Sequence, residues 1–214
     1  MWGLLLTSVL LLGQATLASP AGRCTCKEPH KAAGWCRVHE VGYVGDVTIR
    51  SAWLFDAVDP YGHDVDLTMY PVPCPVCLRA LAEDGFCPEH KWGFVQKRAY
   101  FSLITHHLAK GTVQPASTLQ CAVCRRNAKG HGWCDRHRVG MIGSVALRNR
   151  QEYDEAVVAD DVLREASKIA SRCDRCAVAL ITGTQCPYIV MKDGKPFHRD
   201  PATIPGAQRQ PAAR

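Results

Sequence analysis

The segment Cys74-Pro75-Val76-Cys77, followed after nine residues by Cys87-Pro88-Glu89-His90, places four metal-binding side chains in a short stretch, and it recurs. Cys121, Cys124, Cys134 and His137 repeat it at the same intervals, and Cys24, Cys26, Cys36 and His39 repeat it with the first pair one residue closer. Cys173, Cys176 and Cys186 make a fourth copy with Ile189 at the histidine position. The four copies use all twelve cysteines. Two short turns, each offering two donors, close a tetrahedral site for a borderline-soft ion such as Zn2+, which three thiolates and one imidazole satisfy. An even cysteine count in an exported chain also suits a disulfide framework. A disulfide, however, has no use for a histidine at one fixed offset, as at His39, His90 and His137. In the fourth copy three outcomes stay open: closure by His198, a water in the vacant position, or pairing of two of the cysteines. Asp193-Gly194 is a strong hairpin signal, and a return strand would carry His198 back toward Cys186.

The elements that must position these ligands are readable from the stretches between them. Glycines at 42, 93 and 140, followed by alternating apolar residues such as Val47 and Ile49 or Val145 and Leu147, predict a β-hairpin leaving each metal site, with a tight turn where the glycine allows positive φ. Short helices are expected over Ser51 to Asp59 and Ser102 to Lys110, with serine caps and Gly111 closing the second. Tyr153, Ala156, Val157, Leu163, Ala166, Ile169 and Ala170 recur at helical spacing and predict one amphipathic helix from Asn149 to Ser171 that packs copies three and four together. The fold class is therefore a small metal-stabilised α+β chain of four tandem modules, each a knuckle and hairpin, with intervening helices. Copies one and three resemble each other, as do two and four, so the expected arrangement is two similar halves. The expected boundaries are a first module over 19–58, a second over 59–111, a linker over 112–118, a third over 119–171, a fourth over 172–200 and a disordered tail over 201–214.

Cys74-Pro75-Val76-Cys77 through Gly85-Phe86-Cys87-Pro88-Glu89-His90 resembles the short zinc-ribbon or zinc-knuckle family, in which two such knuckles flank about ten residues and an aromatic precedes the second. Trp35 and Trp133 fill the aromatic position in copies one and three. The resemblance covers roughly a third of the chain and implies a fold and bound Zn2+, not an activity. Histidine as fourth ligand departs from the family's usual cysteine. The chain as a whole is also similar to exported bacterial proteins that carry several knuckles.

Residues 1–18, with Leu4 to Leu6 and Leu10 to Leu12 before small residues at Ala15 and Ala18, read as a signal peptide, so the mature chain is expected outside the cytoplasm with no membrane span. Twelve thiolates binding four divalent ions would lower the formal net charge from +6 to about +2. That leaves little of the basic excess a nucleic-acid binder needs, and nucleic acid is disfavoured as a partner. No phosphate loop, activated nucleophile or His-Glu-x-x-His helix is present, so no catalytic residues are assigned. His106 and His107 read as solvated or partly packed imidazoles. Asp56, Asp59, His63, Asp64 and Asp66 read as a polar linker in preference to a further metal site. The favoured function is a structural zinc protein that offers surfaces to protein partners. The alternatives are metal buffering or transfer at an open fourth site, a thiol-disulfide role for Cys173 and Cys176, and nucleic-acid binding.

Overall fold

The computed structural model describes residues 33–65, 72 and 74–199; Cys24, Cys26, Asp66 and the stretches read as a signal peptide and a disordered tail lie outside the described residues. The chain is a small α+β protein containing three Cys3His groups.

One pattern, a hairpin running into a helix, occurs three times. Strands β1 (Ala33–Cys36), β2 (Val41–Val44) and β3 (Val47–Ile49) form an antiparallel sheet and lead into helix α1 (Ala52–Val58). In the second copy an edge strand β4 (His63–Asp64) precedes helix α2 (Pro75–Ala82), strands β5 (Phe86–Cys87), β6 (Trp92–Val95) and β7 (Arg98–Tyr100), and helix α3 (Leu103–Lys110). The third copy has edge strand β8 (Thr112–Val113), a 3-10 turn at Ala116–Thr118, helix α4 (Ala122–Asn127), strands β9 (His131–Cys134), β10 (Val139–Ile142) and β11 (Val145–Leu147), and helix α5 (Arg150–Ala170). The fourth has only helix α6 (Asp174–Thr182) and the hairpin β12 (Ile189–Lys192) and β13 (Lys195–His198). The stretch read as a linker thus contributes β8, which pairs with β11, to the third copy's sheet.

Gly42, Gly93 and Gly140 lie inside strands β2, β6 and β10 and not at the tight turns the sequence suggested, because each full hairpin is locked to its helix by a ring laid on that glycine. Trp35 pairs across the sheet with Gly42, Phe86 with Gly93 and Trp133 with Gly140. Thirteen residues beyond each glycine, the helix returns Phe55, His106 or Tyr153. A Cβ on these glycines would stand 2.3 Å from Phe55, 2.3 Å from His106 or 2.0 Å from Tyr153, so only hydrogen at the glycine leaves room for the ring. The same ring meets the aromatic of the cysteine strand, at centroid distances of 5.2 Å for Trp35–Phe55, 5.7 Å for Phe86–His106 and 5.4 Å for Trp133–Tyr153. The helices start where the caps predict: Ser51 Oγ accepts from the Leu54 amide at 3.1 Å, and Asn149 Oδ1 accepts from the Gln151 and Glu152 amides.

The main core gathers on α5. Its buried residues Tyr153, Ala156, Ala159, Leu163 and Ala166 fall on one helical stripe, whose three alanines leave room for α6 and α3 to pack close. Residues of the first and third hairpins, among them Val44, Ile49, Ile142 and Leu147, complete the cluster. The turns of these two hairpins abut, since a Cβ on Gly143 would lie 2.7 Å from the Gly45 carbonyl carbon. Arg164 of α5 pins this junction by bonding both Asp160 and Asp46 of the first copy's turn. Asp160 is fully buried with one oxygen unpaired, and burial followed by the Asp46 charge raises its pKa to about 6. The Arg175 guanidinium lies 3.7 Å over the Trp53 ring and ties α6 to α1.

His106 and His107 are not solvated, as the sequence suggested: they are 1% and 3% exposed. A histidine pair looks polar in sequence, but position 106 is the one that the fold fills with a ring in every full copy. Neither ring nitrogen of His106 has a hydrogen bond of ordinary geometry, although the carbonyls of Asp84 and Phe94 face it. Burial, helped by the charges of Lys110 and His107, lowers its pKa from 6.5 to about 4. The unfolded chain therefore takes up this proton at higher pH than the folded one, so the contribution of a neutral His106 is complete above about 6.5 and lost as pH falls through about 4. His106→Phe, which copies Phe55, should keep the fold, and its stability advantage over the parent should grow between pH 6.5 and 4 in urea titrations at each pH. Gly140→Ala should cost about 1–3 kcal/mol in the same assay, because the new methyl overlaps the Tyr153 ring.

Candidate metal centres

The first two cysteines of each centre do not sit on turns, as the spacing alone suggested, but at the start of a helix. Cys74, Cys121 and Cys173 are the N-caps of α2, α4 and α6, and Cys77, Cys124 and Cys176 lie in the first turn. Cys74 Sγ and Cys173 Sγ each accept the amide of the cysteine three residues on, at 3.4 Å. A thiolate at this position replaces a serine or aspartate cap and lies at the positive end of the helix dipole. In the first three copies the third cysteine, Cys36, Cys87 or Cys134, ends a strand, and the histidine follows in the knuckle turn. The next residue, Glu40, Lys91 or Arg138, has φ of 49°, 55° or 49°, and this repeated left-handed step turns the chain from the knuckle into the hairpin.

Three sets of donors converge: Cys74, Cys77, Cys87 and His90; Cys121, Cys124, Cys134 and His137; and Cys173, Cys176, Cys186 and His198, each with donor atoms within 4.8 Å of one another. A tetrahedral zinc ion with bonds of about 2.3 Å to sulfur and 2.0–2.1 Å to nitrogen needs sulfur–sulfur edges near 3.8 Å and sulfur–nitrogen edges of about 3.6 Å. The Cys74–Cys87 edge is 4.0 Å. His90 Nδ1 lies 3.4 Å from Cys77 Sγ and 3.6 Å from Cys87 Sγ, and His137 Nδ1 lies 3.4 and 3.6 Å from Cys124 and Cys134. The residues therefore fit the ion, and a 4.0 Å sulfur pair is twice the length of a disulfide bond. In the first copy Cys36 Sγ and His39 Nδ1 stand 3.5 Å apart in the same knuckle geometry.

The donor chemistry is uneven within each set. Burial and the neighbouring thiols push Cys77 and Cys124 up to about 12. The amides of Cys124 and Val123 bring Cys121 down to about 6. Burial raises the Cys87 thiol, but the backbone and side chain of His90 outweigh it and lower it to about 6. Each of these two sets thus has one thiol ready as a thiolate near neutral pH and one that surrenders its proton only to a cation. Charge differs between them as well. Glu89 Oε2 lies 3.7 Å from Cys74 Sγ in the second set, where the third carries Arg136 in the matching position. Spacing alone carried no signal for that carboxylate.

In the fourth set the position of His90 and His137 is taken by Ile189, and His198 stands directly across the hairpin from it. Its Nε2, not Nδ1, faces Cys186 Sγ, at 3.7 Å. A histidine three residues from its cysteine presents the near nitrogen, whereas one reaching from the opposite strand presents the far one. The acidic loop behaves as structure: Asp59 caps α1, accepts from His63 at 2.9 Å and from the Phe101 amide at 3.0 Å, and Asp64 pairs with Arg98. No metal-ligating group forms there among the described residues. No helix of the described residues is long and apolar enough to cross a membrane.

The chain matches no protein-family model, no curated protein and no solved structure. Cobalt loading should give the visible absorption of tetrahedral sulfur–nitrogen centres, whereas an octahedral spectrum would contradict the geometry. Loading near pH 7 should release protons from Cys77 and Cys124, so affinity falls with pH already there, and the fall should steepen below about 6, where Cys87 and Cys121 also become protonated. His90→Ala should reduce bound cobalt by one equivalent, and His106→Phe should leave it unchanged.

Proposed function

We propose that the chain is an exported zinc-binding scaffold in which four modules, the first completed by Cys24 and Cys26, hold diversified surfaces for protein partners. One observation supports this best. The second and third copies retain the same ligands, the same glycine and a ring at the same position, while their exposed residues change character. Leu78, Phe101 and Leu103 are exposed apolar side chains in the second copy. At the matching offsets the third copy carries Arg125, Arg148 and Arg150. A frame kept constant beneath a surface that changes from apolar to cationic between copies suits recognition of different partners.

The donor sets support a structural role for the ions. Three thiolates and an imidazole fill a tetrahedral ion and leave no open position for substrate. A thiol-disulfide role for Cys173 and Cys176 is disfavoured, because both converge with Cys186 and His198 as one four-donor set.

The test is elemental analysis of the purified chain together with a free-thiol count and removal of the ions. Four zinc per chain, no disulfide, and loss of tryptophan fluorescence and far-UV signal on chelation are expected. A chain that keeps its fold after complete removal of zinc would overturn the structural reading.

A further inference from the structure

The fourth copy differs from the others in what holds its hairpin. In the first three copies the hairpin strands contribute buried residues to a core, such as Val44, Phe94 and Met141, and the following helix lays a ring on the hairpin glycine. No residue of β12 or β13 is buried, and Met191 is 68% exposed, with Ile189 and Phe197 also open to solvent. Neither strand packs extensively on another described element. The backbone ties at its base are Ile189 N to Cys186 O at 3.1 Å and Arg199 N to Tyr188 O at 2.9 Å. Beyond these, the hairpin reaches the rest of the protein through His198, whose ring stands edge-on to Tyr188 and faces Cys186.

A two-stranded hairpin without a packed face is marginal in water. The donor that closes the fourth set therefore sits on an element that has little reason to stay formed unless that donor is engaged. The reverse also holds. His90 and His137 follow their cysteines by three residues, while His198 follows Cys186 by twelve. Closing a ring through a flexible segment four times longer is less favourable on the order of ten-fold. Two of the other donors do not share this weakness, since Cys173 and Cys176 are anchored at the start of α6, which packs on α5.

We propose that the fourth set is the exchangeable zinc site of the chain: engagement of His198 folds the β12–β13 hairpin, and its release frees the hairpin and opens one coordination position to a competing thiol or imidazole. This rests on the zinc-binding reading above and adds a reversible, metal-responsive element at one end of an otherwise inert scaffold. The exposed apolar residues of the hairpin, Ile189, Met191 and Phe197, would then be presented in register only while the site is closed.

The experiment uses the full zinc-loaded chain with a chromogenic zinc chelator, followed by stopped-flow absorbance and by amide hydrogen exchange. One zinc per chain should leave at least ten-fold faster than the rest, and amides of residues 190–198 should lose protection with that phase while α5 and α6 keep theirs. His198→Ala should remove hairpin protection even with zinc present, without disturbing α5. His198→Cys, which keeps a donor on the strand, should restore it. Release of all ions at one rate, or hairpin protection indifferent to the fast ion or to His198→Ala, overturns the exchangeable site while leaving the zinc reading intact. A chain that takes up no zinc at all overturns both.

Discussion

On the zinc-binding reading proposed above, the coordination sphere is the constraint on which the small modules depend. Around the second set the buried cluster is little more than Cys74, Cys77 and Cys87 with Ala80, Phe94 and Ala99, and around the fourth it is Cys173, Cys186 and Ala179. Apolar burial on that scale does not offset the chain entropy of ordering a helix start, a knuckle and a strand. Four donors bound to one ion do, because metal affinity becomes folding free energy when no site exists in the unfolded chain. Several structural choices follow. The first cysteine is placed where a helix wants an acceptor, the histidine is held by a left-handed step, and the thiols are buried deeply enough that protons compete poorly for them only once a cation is present.

Metal coordination alone does not explain why the copies form one body. That falls to α5, whose alanine stripe admits α6 and α3, and to the ring-on-glycine contacts that seat the three full hairpins under their helices. The contact is specific because it needs two residues at once, hydrogen at Gly42, Gly93 or Gly140 and a flat ring thirteen residues later. His106 shows how the position dominates the residue type. An imidazole with both nitrogens unpaired is tolerated there because it is flat and stays neutral.

Much of this was legible in the cysteine and glycine spacing. The intervals picked out the second and third donor sets and the hairpins after them, and the periodicity from Tyr153 to Ala170 marked α5 closely. What spacing could not show was the element under each pair. Two cysteines separated by two residues fit a turn and a helix start equally well, and the helix wins because Cys74 and Cys173 can cap it. Burial of His106 was hidden by its polarity and becomes legible only when it is aligned with Phe55 and Tyr153. Edge strand β8 was hidden because Gly111 to Thr118 has a loop-like composition, while its pairing with β11 is decided by the sheet it borders. In the first copy Cys36 and His39 lie in the same knuckle geometry.

Comparing the four hairpins gives a gradient along one repeated design. The first and third are sealed into the main core and braced turn against turn, with Arg164 bridging Asp46 and Asp160 at the seam. The second has a smaller core of its own and reaches the centre through α3, and its knuckle residue Lys91 touches the end of α6 through the Thr182 carbonyl at 2.9 Å. The fourth has neither a following helix among the described residues nor a ring, and its knuckle histidine has been exchanged for one across the strand pair. As packing is withdrawn from copy to copy, a larger share of each hairpin's order must come from its metal donors. On the zinc-binding reading, where the core is large the ion and burial order the hairpin together; where the core is three residues, the ion decides whether the element exists. The same four-donor chemistry thus serves as reinforcement at the middle of the molecule and as a condition for structure at its end.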